Sequence, residues 1–258
     1  MKTKTVKKIA IAIIIGTLLY LSALSCNVSL KAFTKGIIDG IAFLGELFPP
    51  DLNVLPEMIY PAIETIMISF LATIFGAILS FIFALAGAAN LSPKWLKAIS
   101  RFFMATERAL PEIIIILLLV AALGLGPFPG VVALAIGCLG MLGRLFSDAI
   151  EEVNPKTIEA VQSSGATKMQ VIQYVIIPEI LPSLISNTLF RFEINTRLSV
   201  LLGAVGAGGI GYEIYYSFQL LEYERATTAI LVVLLLVFMS EKVSDYFRKI
   251  ILSNTKLK

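Results

Sequence analysis

The sequence predicts an all-α, polytopic membrane protein with about six transmembrane helices. Hydrophobic residues make up 57% of its 258 residues and charged residues 15%, whereas soluble chains hold roughly 45–50% and about 25%. Several stretches without Lys, Arg, Asp or Glu are as long as the roughly 20 residues that a helix needs to cross the hydrocarbon core. Basic residues cluster beside these stretches, and the high apolar content excludes a disordered chain.

The first two predicted spans are the charge-free stretches Ile9–Leu30 and Thr65–Pro93. The first also has features of a signal peptide, because Lys7 and Lys8 precede an apolar run that reaches Cys26. The residues before that cysteine match a lipoprotein cleavage box poorly, and further apolar segments follow downstream. We therefore favour an uncleaved first helix.

The segment between these two spans carries apolar residues at the spacing of one helix face. They are Leu30, Phe33, Ile37, Ile41 and Leu44. This pattern predicts an amphipathic helix over Leu30–Leu47 that lies on the outer face of the membrane.

The charge-free stretch Ile113–Gly143 is too long for a single span. Glycines and prolines in Gly124–Gly130 predict a tight turn that divides it into two helices. We expect the third helix to begin near Phe102 and to bend at Pro111, and the fourth to run through Phe146.

The last two predicted spans are Ile180–Tyr212 and Ala226–Ser240. Basic residues at the N-terminus, in the loop after the second span and at the C-terminus place all three regions in the cytoplasm under the positive-inside rule. An even number of spans satisfies this rule with both termini cytoplasmic. Counting spans then places segment 147–177 in the cytoplasm as well.

The residue inventory excludes several classes of function. The sequence has no His and two Cys, so imidazole metal sites, His-based triads and Cys-rich zinc sites are excluded. It contains no Gly-x4-Gly-Lys-Ser/Thr phosphate loop and no Gly-x-Ser-x-Gly motif. The small net charge of +3 argues against a nucleic-acid partner. We expect no catalytic residue, no metal and no cofactor bound by this chain.

Two short helices are predicted in the cytoplasmic segment. The first covers Lys156–Ser164, because Asn154 is a good N-cap, Pro155 suits the first helical position and Gly165 ends the helix.

The second helix starts at a capping box formed by Thr167 and Gln170, and we expect it to end before Pro178. Such a pair of helices is either a solvated connector or a compact protrusion that docks on a partner.

The residues of this protrusion favour docking. Glu159-Ala160-Val161, followed by Gly165, Val175, Ile177 and Pro178, resembles the EAA loop of importer-type ABC permeases. The resemblance implies that Glu159, Ala160, Gly165 and Pro178 belong to a loop, at about 147–177, that couples the permease to an ATPase.

The resemblance extends to the permease of phosphonate ABC importers over roughly Leu47–Lys249. The segments that carry it are Arg108–Glu112, Gly124–Phe128, Met141–Phe146, Tyr174–Pro178, Phe190–Asn195, Gly203–Gly211 and Tyr223–Arg225. It implies an N-terminal helix and external segment over 1–62, a type I importer permease domain over 63–250 and a cytoplasmic tail over 251–258.

The resemblance also implies the partners and the location. They are a second permease copy in a homodimer, two cytoplasmic ATPase subunits that hold ATP and Mg²⁺, and an extracytoplasmic substrate-binding protein, all at a bacterial cytoplasmic membrane. The expected substrate is phosphonate or a related phosphorus oxyanion. Phosphite, a phosphate ester and a methionine-like solute are alternatives. An ion-coupled secondary carrier fits less well, because the sequence has no internal repeat of helices.

The fifth predicted helix carries the candidates for the translocation pathway. Asn187, Arg191, Asn195 and Ser199 fall on one face of this helix. Arg191 on that face has neutral polar neighbours, so we expect it to meet the anion. Glu193 and Arg197 lie roughly opposite at a spacing of i to i+4, which predicts an intramembrane ion pair that holds the helix against a neighbour.

A glycine-rich segment follows this helix. Gly206, Gly208 and Gly211 match the spacing of a dinucleotide fingerprint, but no strand precedes them, so that interpretation is rejected. We expect the glycines of the segment to permit close approach or to act as a hinge at an outer gate. They are Gly203, Gly206, Gly208, Gly209 and Gly211.

Overall fold

The computed structural model describes residues 2–255, except for the side chains of 2–6, 30 and 252–255. The described residues are helical with connecting turns and include no strand. They form two compact units, the first ending at Pro49 and the second beginning at Pro50. The all-α prediction is confirmed.

The first unit contains α1 (Lys2–Ser25) and α2 (Leu30–Glu46). The apolar part of α1 is long enough to cross a membrane. The Ser29 side chain caps α2 by accepting a hydrogen bond from the Ala32 N–H at 3.1 Å. The amphipathic helix predicted over Leu30–Leu47 is therefore present.

The second unit begins with α3 (Leu55–Gly87), which starts ten residues before the predicted second span. Counting from charge-free residues was wrong here, because Glu57 and Glu64 lie inside the helix. The domain boundary predicted at residue 62 falls within α3, whereas the first compact unit ends at Pro49.

The prediction of one continuous third helix is wrong. Two helices, α4 (Lys94–Ala109) and α5 (Glu112–Leu123), stand in its place. Leu110 and Pro111 between them have extended backbones with ψ of 126° and 131°. Proline lacks an N–H and forces the residue before it out of the helical region, so the chain breaks where only a bend was expected.

Four long helices dominate the second unit. After α3 they are α6 (Pro127–Glu152), α9 (Ile177–Leu202) and α11 (Tyr223–Thr255). Among the described residues, five helices including α1 are long and apolar enough to span a membrane, and α5 is a shorter apolar helix. At about 18 Å, α5 is shorter than the roughly 30 Å hydrocarbon core. Over the described part of the chain, five long apolar helices and the shorter α5 therefore stand where about six transmembrane helices were predicted.

The core of the second unit lies where α3, α6 and α9 pack together. One cluster of buried apolar residues sits at the end of α6 and the start of α9. Its members include Leu142, Phe146, Ile150, Val153, Val175 and Ile176. This cluster anchors the loop between the two helices.

Two short helices form that loop, as predicted. The first is α7 (Pro155–Ser163), whose N-cap Asn154 accepts a hydrogen bond from the Lys156 N–H at 3.0 Å. Gly165 follows with φ of +89°, a conformation that favours glycine. The second is α8 (Lys168–Val171), and both hydrogen bonds of its Thr167–Gln170 capping box are present.

The expectation that this second helix ends before Pro178 is wrong. A π-helical turn over Ile172–Ile176 joins α8 to α9 without interruption. In this wide turn the Ile177 N–H donates to the Ile172 carbonyl, five residues back. Pro178 follows this turn as the second residue of α9.

The predicted fifth span also ends earlier than expected. Instead of continuing to Tyr212, α9 stops at Leu202, and a second π-helical turn over Gly203–Ala207 leads to α10 (Ile210–Gln219). Val205 and Gly206 in this turn have non-helical backbone angles, which redirects the chain.

Candidate functional site

One polar face of α9 is buried against α3. The Asn195 Nδ2 donates to Thr73 Oγ1 at 2.9 Å, and Ser69 and Ser199 share a hydrogen bond of 3.0 Å between their hydroxyls. Asn195 and Ser199 are 0% and 2% exposed. These contacts are typical of polar residues that join helices inside a membrane.

Arg191 lies one turn before Asn195 and is also buried, with 4% of its surface exposed. Its Nη2 donates to the Glu112 Oε1 at 2.8 Å, and its Nη1 lies 4.0 Å from the Met141 sulfur. The expectation of purely neutral neighbours is therefore wrong. Glu112 is the first residue of α5, and the break at Pro111 places it there.

Two glycines of α6 make room for this charged pair. A Cβ added to Gly137 would lie 2.9 Å from the Arg191 Nη2 and 3.0 Å from the Glu112 Oε1. A Cβ added to Gly140 would overlap the Glu107 carboxylate. The charged side chains of Glu107, Glu112 and Arg191 therefore lie so close to the α6 backbone that no side chain larger than that of glycine fits at positions 137 and 140.

A cavity of about 210 Å³ opens at the break between α4 and α5. Its charged lining consists of Glu107, Arg108, Glu112 and Arg191. Asn187, the remaining residue predicted on this face of α9, is half-buried and hydrogen-bonded to Ser183 at 3.3 Å.

The predicted ion pair between Glu193 and Arg197 does not form. Glu193 instead pairs with Arg248 at 2.8 Å, and Arg197 pairs with Glu241. Both partners lie on α11, two turns apart. Because α9 and α11 run antiparallel, Arg248 of α11 faces Glu193 and Glu241 faces Arg197. These two pairs between helices replace the pair expected within α9.

The glycine-rich segment brings α10 back against the end of α9. A Cβ added to Gly211 would overlap the Val200 carbonyl oxygen, and one added to Gly203 would lie 2.6 Å from the Gly208 carbonyl oxygen. Gly206, Gly208 and Gly209 have φ of +95°, +78° and +70°. Close approach of backbone segments accounts for Gly203 and Gly211 and positive φ accounts for the other three, while their action as a hinge stays a prediction.

Two side chains of α3 fix the start of α10, and neither was identified from the sequence. The Glu64 carboxylate accepts a hydrogen bond from the Gly209 N–H at 2.6 Å, and the Thr65 hydroxyl accepts one from the Ile210 N–H at 2.9 Å. They act as caps supplied by another helix. The position of Glu64 directly before an apolar stretch was the available signal.

The loop with α7 and α8 divides into anchored and exposed residues. Val175 is buried in the apolar cluster, whereas Glu159, Ala160, Gly165 and Pro178 are exposed. Two large exposed side chains accompany them, Met169 and Tyr174, each 68% exposed. The four residues predicted for coupling therefore lie on the accessible surface of the loop.

A polar junction holds the loop at its other end. The Glu151 carboxylate accepts a hydrogen bond from the Ala89 N–H at 2.7 Å and pairs with Arg101 at 2.5 Å. The Asn90 side chain donates to the Ile150 carbonyl at 2.8 Å. The turn between α3 and α4 is thereby fixed to the last turn of α6.

Comparisons with known proteins identify the family. The family described as binding-protein-dependent transport system inner membrane component matches residues 76–253. The phosphite transport system permease protein PtxC of Stutzerimonas stutzeri is 33% identical over 93% of this chain and 87% of that protein. The phosphate-import permease protein PhnE of Mycolicibacterium smegmatis is 35% identical over 82% of this chain and 40% of that protein.

A solved structure supports the fold. A chain of the inward-facing methionine ABC transporter MetNI has a TM-score of 0.68 at 21% identity, covering 78% of this chain and 99% of that one. Together with the family match and the five long apolar helices, this similarity establishes a multi-pass membrane protein. The chain belongs to the family of binding-protein-dependent transport system inner membrane components and is a permease subunit of an ABC importer.

Proposed function

We propose that this permease subunit imports a small phosphorus oxyanion, with phosphonate and phosphite as the first candidates. The observation that carries the proposal is the similarity to a phosphite permease over 93% of the chain. The buried guanidinium of Arg191 supports it, because a planar fork of donors suits the oxygens of a tetrahedral anion. A phosphate ester and a methionine-like solute are the alternatives to be tested.

We infer that the working importer contains two copies of this chain, two cytoplasmic ATPase subunits and an extracytoplasmic binding protein. The exposed surface of α8 and of the π-helical turn after it supports a docked ATPase, because Met169 and Tyr174 leave large side chains accessible there. ATP and Mg²⁺ are assigned to the ATPase subunits, since this sequence has no phosphate loop. The permease itself then catalyses no reaction.

We propose that both termini lie in the cytoplasm of a bacterial cell. Basic residues near the two ends and in α4 support this orientation, and the shorter apolar helix α5 is assigned the sixth crossing that it requires. It places the loop with α7 and α8 on the cytoplasmic side and the glycine-rich segment on the outer side, where its glycines serve as a gate.

We assign the translocation pathway to the face of α9 that carries Arg191 and Asn187. Asn195 and Ser199 lie on the same face and support it by fixing α9 to α3 through hydrogen bonds. The pairs of Glu193 and Arg197 with α11 hold the opposite side. Arg191 is thus the residue of this face that contacts the anion.

Transport by the complete importer in proteoliposomes tests this function. The binding protein is supplied outside and ATP inside, and radiolabelled phosphite, phosphate, methylphosphonate and methionine are offered separately. ATP-dependent uptake of a phosphorus oxyanion is expected, and uptake of methionine alone would overturn the proposal. Vesicles without the ATPase are the control, because uptake there would indicate an ion-coupled carrier.

A further inference from the structure

The guanidinium of Arg191 has hydrogen-bond donors that no oxygen of the described residues accepts. Arginine offers five N–H donors in a planar fork, yet among the described residues only the Glu112 carboxylate oxygen accepts from it, through Nη2. The Nη1 has a thioether sulfur 4.0 Å away, and the buried Nε has no hydrogen-bond partner in the part of the chain that the structure describes. A buried polar group without a partner is costly, so this arginine holds binding capacity that the folded chain does not satisfy.

The cavity beside Arg191 has room for a small anion. Its volume of about 210 Å³ exceeds several times the roughly 30 Å³ that a water molecule occupies in the liquid. Arg108 lines the cavity as a second cation, and Glu107 and Glu112 line it as carboxylates. The formal charges of these four residues cancel when the cavity is empty.

The two partners of the ion pair differ in their freedom. The Arg191 side chain is 5% exposed and the Glu112 side chain 24%. Glu112 also follows the extended residues Leu110 and Pro111, so no helical turn precedes it. Glu112 is therefore the partner that can turn away, and the remaining formal charges of Glu107, Arg108 and Arg191 would then sum to +1 with Glu107 ionised.

We propose that Glu112 is an exchangeable counter-ion of Arg191, and that a small tetrahedral oxyanion takes its place in this cavity during transport. The carboxylate holds the guanidinium while the site is empty, and the anion then receives the forked donors in a cavity that Arg108 also lines. Gly137 permits the exchange, because its missing side chain leaves space for both partners. This inference rests on the proposed function and names the site within the permease where the anion binds.

Direct binding to the purified permease–ATPase complex, without binding protein, tests the exchange. Radiolabelled phosphite is the probe, measured by equilibrium dialysis. If the Glu112 carboxylate occupies the Arg191 guanidinium for about nine-tenths of the time, it lowers the apparent affinity for phosphite about tenfold. Glu112→Gln is therefore expected to bind phosphite about tenfold more tightly than the wild type, while Arg191→Gln and Arg191→Lys bind it at least about tenfold more weakly.

The matched control is Glu193→Gln. Glu193 lies on α9, as Arg191 does, and its ion pair with Arg248 of α11 has the same length of 2.8 Å as the pair of Arg191 with Glu112. It is expected to leave phosphite binding unchanged within about twofold. Equal or weaker binding by Glu112→Gln would overturn the inference and make the pair with Arg191 a fixed structural contact. A tightening by Glu193→Gln as large as that by Glu112→Gln would overturn it too.

Uptake by the wild-type importer separates this inference from the proposed function. If the importer takes up phosphite or methylphosphonate but Glu112→Gln binds phosphite as the wild type does, the proposed function stands and the counter-ion exchange is rejected. Uptake of methionine alone would remove both. Proper folding of each variant is checked by its co-purification with the ATPase and by its elution volume in size-exclusion chromatography.

Discussion

Replacing Gly211 by alanine is expected to displace α10 from the end of α9. The added Cβ would overlap the Val200 carbonyl oxygen, and a backbone atom cannot rotate away as a side chain can. Relieving the overlap also strains the hydrogen bond from Ile210 to Thr65, which caps α10. Overpacking costs about 1–3 kcal/mol and loss of a cap about 1 kcal/mol, so we expect a destabilisation of about 2–4 kcal/mol.

This change in stability corresponds to a fall of roughly 5–15 °C in the apparent melting temperature of a chain of this size. The assay is thermal unfolding of the detergent-purified importer, followed by size-exclusion chromatography. Gly40→Ala in α2 is the control, because a Cβ added there meets no atom within 4 Å. Alanine is favoured over glycine in a helix by about 1 kcal/mol, so this control is expected to keep or slightly raise the melting temperature.

A second variant isolates the cause. Val200→Ala shortens the side chain and leaves the carbonyl in place, so combining it with Gly211→Ala is expected to restore no stability. Rescue by this double variant would mean that the side chain of Val200 causes the overlap. A melting temperature of Gly211→Ala within about 1 °C of that of Gly40→Ala would refute the reasoning altogether.

Three further outcomes are expected. Glu159→Lys reverses an exposed charge on α7 and should reduce co-purification of the ATPase at unchanged permease level; full co-purification would remove Glu159 from the docking surface. A double-mutant cycle on Glu193 and Arg248 should give a coupling of about 0.5–3 kcal/mol in thermal unfolding, and additive effects would contradict the pair. A membrane-impermeant maleimide applied to intact cells should label exposed Cys26 and spare buried Cys138; protection of Cys26 would contradict the orientation with both termini inside.

Local signals predicted the loop between α6 and α9 well. Asn154, Gly165 and the Thr167–Gln170 box act on backbone groups within a few residues of themselves, so their effect can be deduced from neighbouring sequence. The end of the second helix was mistaken, because the π-helical turn before Pro178 depends on the packing of Val175 and Ile176 in the apolar cluster.

Partners of the intramembrane charges could not be predicted in the same way. Glu112 and Arg191 are 79 positions apart, and only the packing of α5 and α9 around α6 brings them together. The i to i+4 spacing of Glu193 and Arg197 favoured a pair within one helix. Both residues found partners on α11 instead, and nothing in the local sequence distinguishes these outcomes.

The continuous helical run from Lys168 to Leu202 has a mechanical consequence. At 1.5 Å per residue it is a rod of about 50 Å, with α8 at one end and Arg191 along its length. Pro178 and Pro182 lie between α8 and Arg191 and lack the N–H of a helical hydrogen bond, so they are the points at which this run bends most easily. We expect a displacement of α8 to act on Arg191 through these two proline turns and to reach the glycines with positive φ at Gly206–Gly209 last.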